Sequence, residues 1–183
     1  MHGTEAPSAW VQRFGPLITP GGAVLDVASG HGRHSRWLAA RGHPVTAIDR
    51  DPAAVASVAA LGTGVRAIEA DIENGAWPLP GDTFAGLVVT NYLWRPLLPT
   101  LLASVAPGGL LIYETFGTDH AAIGRPSRPD FLLQPGELLR VCAGWRVLAY
   151  EDGFLDGPPR FVQRIAARRE DPAQPSPAEG RRL

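Results

Sequence analysis

The chain has 183 residues, 45% of them apolar, which suits one packed core and argues against wholesale disorder. Its 17 basic and 18 acidic residues leave a formal charge of −1, with none of the basic excess by which proteins grip a nucleic-acid backbone. No apolar run approaches the ~20 residues needed to cross a bilayer. Residues 1–7 are polar and lack the basic-then-apolar order of a signal peptide. The single cysteine, Cys142, has no internal partner and no metal motif around it, so a cytoplasmic protein without a membrane partner is expected.

Short β-like runs alternate with helix-period segments along the chain. Residues 23–28 form a compact apolar run entered from Pro20-Gly21-Gly22, and this predicts a buried strand. A helix is expected over 32–40, stopped by Gly42, then a second strand over 44–48. Asp51-Pro52 reads as an N-cap followed by proline at the first helical position, with Val55, Val58 and Ala59 expected on the inner face. Strands are predicted over 65–70 and 84–90, separated by a stretch too rich in glycine and proline for a long helix. Leu97, Leu98, Leu101, Leu102 and Val105 give an amphipathic helix, and Pro107-Gly108-Gly109 predicts a tight turn into a fifth strand over 110–115.

Residues 116–134 show no period and contain Gly124, Pro126 and Pro129, so a long loop of the kind that is often functional is expected there. A short helix over 135–142 and an antiparallel hairpin built from 146–150 and 161–166 close the pattern. The domain is expected to span 1–168, followed by a disordered tail over 169–183 that reads Glu-Asp-Pro-Ala-Gln-Pro-Ser-Pro. The alternation implies an α/β fold: a three-layer α/β/α sandwich on a mainly parallel sheet, with the hairpin at its C-terminal end. In such sheets ligands bind beyond the carboxyl ends of the strands, where strand order reverses.

The expected strand ends carry acids. Asp26 ends the first, Asp49 ends the second and Asp71 follows the third, at separations of 23 and 22 residues. Between the first strand and its helix lies Ala28-Ser29-Gly30-His31-Gly32, where glycines let a ligand approach the backbone. A glycine turn alone also fits nicotinamide or flavin cofactors. Carboxylates so close would repel a pyrophosphate, and Ser35 stands where the dinucleotide pattern needs its third glycine. A donor bearing ammonium and sulfonium charges is favoured by the same acids.

Residues 24–32 (Val-Leu-Asp-Val-Ala-Ser-Gly-His-Gly), Ala47-Ile48-Asp49-Arg50, Ala70-Asp71-Ile72 and Ala106-Pro107-Gly108-Gly109-Leu110 resemble the class I S-adenosylmethionine-dependent methyltransferase family over roughly 20–167. Ala28 replaces the family's usual glycine. The turn Gly30-His31-Gly32-Arg33-His34 and the stretch from Arg125-Pro126 to Pro135-Gly136-Glu137 are also similar to small bacterial tellurite-resistance-type methyltransferases.

The resemblance implies a Rossmann-like fold, S-adenosyl-L-methionine as cofactor and methyl transfer to a small-molecule acceptor. It implies that Asp26, Ala28, Gly30 and Gly32 hold the methionine end, and that Asp49 binds the ribose hydroxyls with Arg50 beside the adenine. Asp71 then takes the adenine amine, Ile72 packs on the ring, and Asn91 and Tyr92 border the sulfonium. His31, Trp94, Phe116, Arg125 and Arg128 are candidates for the acceptor side. His31 and His34 have a spacing that metal ligands use, but no third ligand is near them in sequence, and no metal is expected. Asn91-Tyr92-Leu93-Trp94 departs from the Asn-Pro-Pro-aromatic signature of amino-methylating branches. No residue pair reads as acid and base, which leans toward a thiol or chalcogen nucleophile. The alternatives are a non-catalytic module that binds the same cofactor and a nicotinamide-dependent oxidoreductase.

Overall fold

The computed structural model describes residues 6–173, and its backbone is one seven-stranded sheet in the order β3-β2-β1-β4-β5-β7-β6. The strands are β1 (Val24–Val27), β2 (Val45–Asp49), β3 (Val65–Glu69), β4 (Phe84–Thr90), β5 (Val105–Phe116), β6 (Arg146–Asp156) and β7 (Pro159–Arg168). The first five are parallel to one another, while β7 runs antiparallel to both β5 and β6. The order reverses between β1 and β4, so the crevice in which ligands bind opens there.

Period-2 alternation divides the core between the two faces of the sheet. Val24, Val88, Leu110 and Ile112 face one side, where they pack with α1 (Ala9–Phe14) and Leu38 of α2 (Arg33–Ala39). Leu25, Val27, Leu87 and Val89 face the other, against α4 (Leu98–Ala103) and α5 (Glu137–Val141). Strands covered on both sides are apolar throughout, and all four residues of β1 are buried. Burying a side chain the size of Leu38 or Ile112 contributes roughly 1.5–3 kcal/mol.

The sequence expectations hold for element order and differ at particular places. Helix α1 was not expected. Ser8 caps it by accepting from Trp10 N–H at 3.1 Å, and Trp10, Val11 and Phe14 form its buried face, packed in one cluster with Ile18 beyond the helix. Asp51 does cap α3 (Pro52–Ala59), accepting from Ala53 N–H at 2.9 Å, but the buried positions are Ala54 and Val58, while Ala59 is exposed. The expected turn at Pro107-Gly108-Gly109 lies within β5, as an irregularity in its pairing with β4. Gly108 N–H donates to Arg169 O, and Arg169 N–H to Gly109 O, so the chain beyond β7 straps this bulge to the sheet. Arg169, where a tail was expected to begin, is therefore fixed, and residues 174–183 lie outside the described residues. Strands β6 and β7 run well beyond the expected 146–150 and 161–166. No helix of the described residues is long and apolar enough to cross a membrane.

Candidate functional site

The carboxyl ends of β1 and β4 are both strained. Ala28 (φ 52°) follows β1 and Asn91 (φ 55°) follows β4, each in the left-handed region. Asparagine tolerates that region, but for alanine it costs about 1–2 kcal/mol. Such strain concentrates at functional sites, and here it flanks the switch point on neighbouring strands. Gly30 and Gly32 continue the turn at φ 53° and 79°. A Cβ on Gly32 would lie 2.7 Å from Val58 Cγ2, so glycine lets the turn sit against α3. A Cβ on Gly30 would meet nothing within 4 Å, which leaves that backbone open to an approaching group.

A cleft of about 190 Å³ opens beside this turn. It is lined by the predicted Ala28, Asp49, Arg50, Asp71, Ile72 and Tyr92, together with Ala70 and Glu73. Glu73 was missed by the sequence reading, although its place two residues after Asp71 was the available signal. Asp49 comes off β2 toward the turn: its Oδ2 accepts from Gly30 N–H at 2.7 Å and its Oδ1 from Asp51 N–H at 3.0 Å. One carboxylate thus ties the glycine turn to the end of β2.

Asp71 closes a turn of its own, accepting from Glu73 N–H at 3.0 Å, Asn74 N–H at 3.2 Å and Asn74 Nδ2 at 2.9 Å. The Asn74 side chain first, and then the Glu73 amide, hold its carboxyl below the usual range, so it stays ionised. Asp49, Asp71 and Glu73 face a single cation, Arg50, across the cleft, which suits a positively charged ligand. The Tyr92 hydroxyl is buried and makes no well-formed hydrogen bond, with the Glu73 carboxylate beside it, and burial first, then the Glu73 and Asp71 charges, hold it protonated. A buried hydroxyl in a cleft wall calls for a partner from a bound molecule. The donor set therefore fits a cationic adenosyl group.

Asp26 is not on the cleft. It sits within β1, 1% exposed, with its Oδ2 accepting from Ser35 Oγ at 2.6 Å beneath the turn. Burial raises its carboxyl to about 6, against the opposing pull of the Ser35 hydrogen bonds and Arg33. Asn91 lies exposed at the end of β4, its N–H donating to Glu114 O at 2.9 Å. Gly30 and Gly32 stand in the turn next to the cleft.

The acceptor candidates are scattered. His31 stands in the glycine turn, its carbonyl accepting from Ser57 Oγ at 3.2 Å. Trp94 packs on the core, and Phe116 ends β5. Arg125 is exposed, and Arg128 is matched by Asp130 at 3.0 Å and leans on the Phe131 ring. His34 is buried and internally used: its Nε2 accepts from Ser8 N–H at 3.2 Å, and burial, with Arg33 nearby, pulls its imidazole down to about 3. The 116–134 segment is held by Arg95, which donates to Asp130 O at 2.9 Å, Leu132 O at 2.8 Å and both carboxylate oxygens of Glu137.

Residues 24–109 match the family model of a methyltransferase domain. The chain is 31% identical over 160 residues to hemagglutinin 1 of Eikenella corrodens; the match covers 82% of this chain and 52% of that protein. The chain thus spans about half the length of this curated relative. Among solved structures it is similar to TehB from Haemophilus influenzae (TM-score 0.73, 20% identity, 91% of this chain and 63% of that one). It is also similar to an S-adenosylmethionine-dependent methyltransferase from Mesorhizobium loti (TM-score 0.67, 18% identity, 88% of this chain and 99% of that one).

Proposed function

We propose that this chain, which matches a methyltransferase-domain model over residues 24–109 and shares the fold of S-adenosylmethionine-dependent methyltransferases, transfers the methyl group of S-adenosylmethionine to a small-molecule acceptor. The observation that carries this reading is the acid-lined cleft joined to the strained turn between β1 and α2. Each oxygen of Asp49 has a lone pair left after its backbone bond, and these take the two ribose hydroxyls. Arg50 and Ile72 flank the adenine, and Asp71 or the neighbouring Glu73 takes its amine. Tyr92 supplies the wall toward the sulfonium, and Gly30 gives the methionine end room. Asp26 acts from below, by holding the turn through Ser35.

When bound, the cofactor supplies an electrophilic methyl carbon on a positively charged sulfur. What remains for the protein is to bind, to align the acceptor in line with that carbon and to exclude water. The carboxyl ends of β4 and β5 are where the acceptor stands, because the side toward β2 and β3 is taken by the adenosyl group. A thiol or other chalcogen nucleophile suits a site without a strong base. We place the reaction in the cytoplasm, where a lone thiol such as Cys142 stays reduced.

Calorimetric titration tests the reading. S-adenosylmethionine and its demethylated product should bind at micromolar affinity, about −8 kcal/mol, and NADH should not bind. Tight NADH binding with no response to the methyl donor would overturn it.

A further inference from the structure

The 3-10 turn Thr118–Ala122 that follows β5 carries His120, only 5% exposed and stacked on Phe116 with ring centroids 4.5 Å apart. Its Nε2 lies 3.0 Å from Arg125 O. A carbonyl only accepts, so Nε2 carries the hydrogen and Nδ1 of the neutral ring is left with a bare lone pair. That Nδ1 is buried and has no partner. A second orphan lies on β7, the strand paired with β5. Arg160 reaches Glu114 Oε1 with Nη2 at 3.5 Å, but its Nε–H is buried and unpartnered. The two segments touch, since Gly117 N–H donates to Phe161 O at 3.1 Å.

One buried acceptor and one buried donor, each left without a partner, carry an uncompensated desolvation cost. A bound molecule that both donates and accepts removes that cost. The place is right for a methyl acceptor. Strand β5 lies two strand spacings, about 10 Å, from β1, and its neighbour β4 ends at the cleft wall formed by Tyr92.

Resting on the methyltransferase reading above, we propose that His120 Nδ1 is the catalytic proton acceptor for a thiol held between His120 and Arg160. The thiol sulfur bonds to the methyl carbon, and the electron pair of the old carbon–sulfur bond stays on the donor sulfur, which becomes a neutral thioether. The thiol proton passes to Nδ1, and the resulting imidazolium later returns it to water. Arg160 Nε–H donates to the thiol sulfur and holds its lone pair in line. A soft nucleophile needs no stronger base than an imidazole.

The test uses protein labelled with 15N-histidine and saturated with S-adenosylhomocysteine, with 2-mercaptoethanol as the probe thiol. The His120 signals are identified by their loss in His120→Gln, whose amide N–H can still reach the Arg125 carbonyl. Before thiol is added, the ring should show a proton on Nε2 alone. Thiol should then shift Nδ1 and leave Nε2 in place. His120→Gln should bind S-adenosylhomocysteine as the parent does, while methylation of 2-mercaptoethanol from labelled donor falls about a hundredfold or more. A proton on Nδ1 in the resting protein, an Nδ1 signal unmoved by saturating thiol, or full methylation by the variant each overturns the proposal. The wild-type spectrum decides the matter even if the variant misfolds. Failure of S-adenosylhomocysteine to bind at all would instead sink the methyltransferase reading.

Discussion

Replacing Asp49 by alanine removes the carboxylate that joins the glycine turn to β2. In the free protein that carboxylate already accepts from Gly30 N–H at 2.7 Å and Asp51 N–H at 3.0 Å, one on each oxygen. The remaining lone pairs serve two ribose hydroxyls, and a hydrogen bond to a charged group is worth about 1.5–3 kcal/mol. Losing both costs about 3–6 kcal/mol of binding, or roughly two to four decades in Kd at 1.4 kcal/mol per decade. Gly30 is only half-buried, so water can replace part of what its amide loses, and folding stability should fall by about 1 kcal/mol. Asp49→Asn should bind almost as poorly, because its amide group turns a donor toward one of the two backbone N–H groups. Asp51→Ala is the control. It removes only the cap of α3, at about 1 kcal/mol of stability, and should leave affinity intact. Calorimetry with S-adenosylhomocysteine, beside thermal melts, measures both quantities. A folded Asp49→Ala protein that binds within a few-fold of the parent would refute the assignment of this cleft to the ribose.

Three further outcomes are expected. Ala28→Gly should relieve about 1–2 kcal/mol of left-handed strain against roughly 0.5–1 kcal/mol of added chain entropy, raising the melting temperature by a degree or two; a lower melting temperature would contradict the strain. Asp26 has a folded value raised to about 6 from 3.8, so the folded state holds the proton more tightly and stability falls as pH rises through that window. Asp26→Asn should accordingly be more stable than the parent at pH 7.5, by up to about 3 kcal/mol, with the gap closing below pH 4; a gap independent of pH in denaturant titrations would refute this. Arg95→Ala should free the 129–133 stretch and α5, seen as faster hydrogen exchange there with cofactor affinity unchanged, and unaltered exchange would show that the Arg95 contacts hold nothing.

What the sequence determined by itself is the order of elements and the ends of the parallel strands. Phe84–Thr90 reads from pattern alone, as do the glycine turn, Asp49 and Asp71, because strand period, turn glycines and the Asp51-Pro52 cap are encoded within a few residues of one another. Six residues that the family resemblance assigned to the cofactor line one cleft: Ala28, Asp49, Arg50, Asp71, Ile72 and Tyr92. Other features depend on partners far away in the chain. Helix α1 is fixed by Ser8 reaching His34 and Glu114, the latter 106 residues away, and by Trp10 Nε1 donating to Ile165 O. Asp26 looked like a cleft residue from its position at a strand end, but period-2 alternation turns its side chain down onto Ser35. The 116–134 segment has no period of its own, and its path is decided by Arg95, Gly117 and Leu133, with the last two paired in a parallel bridge. The partnerless Nδ1 of His120 follows from that path, since only the folded loop shows which polar atoms of a buried ring have been satisfied.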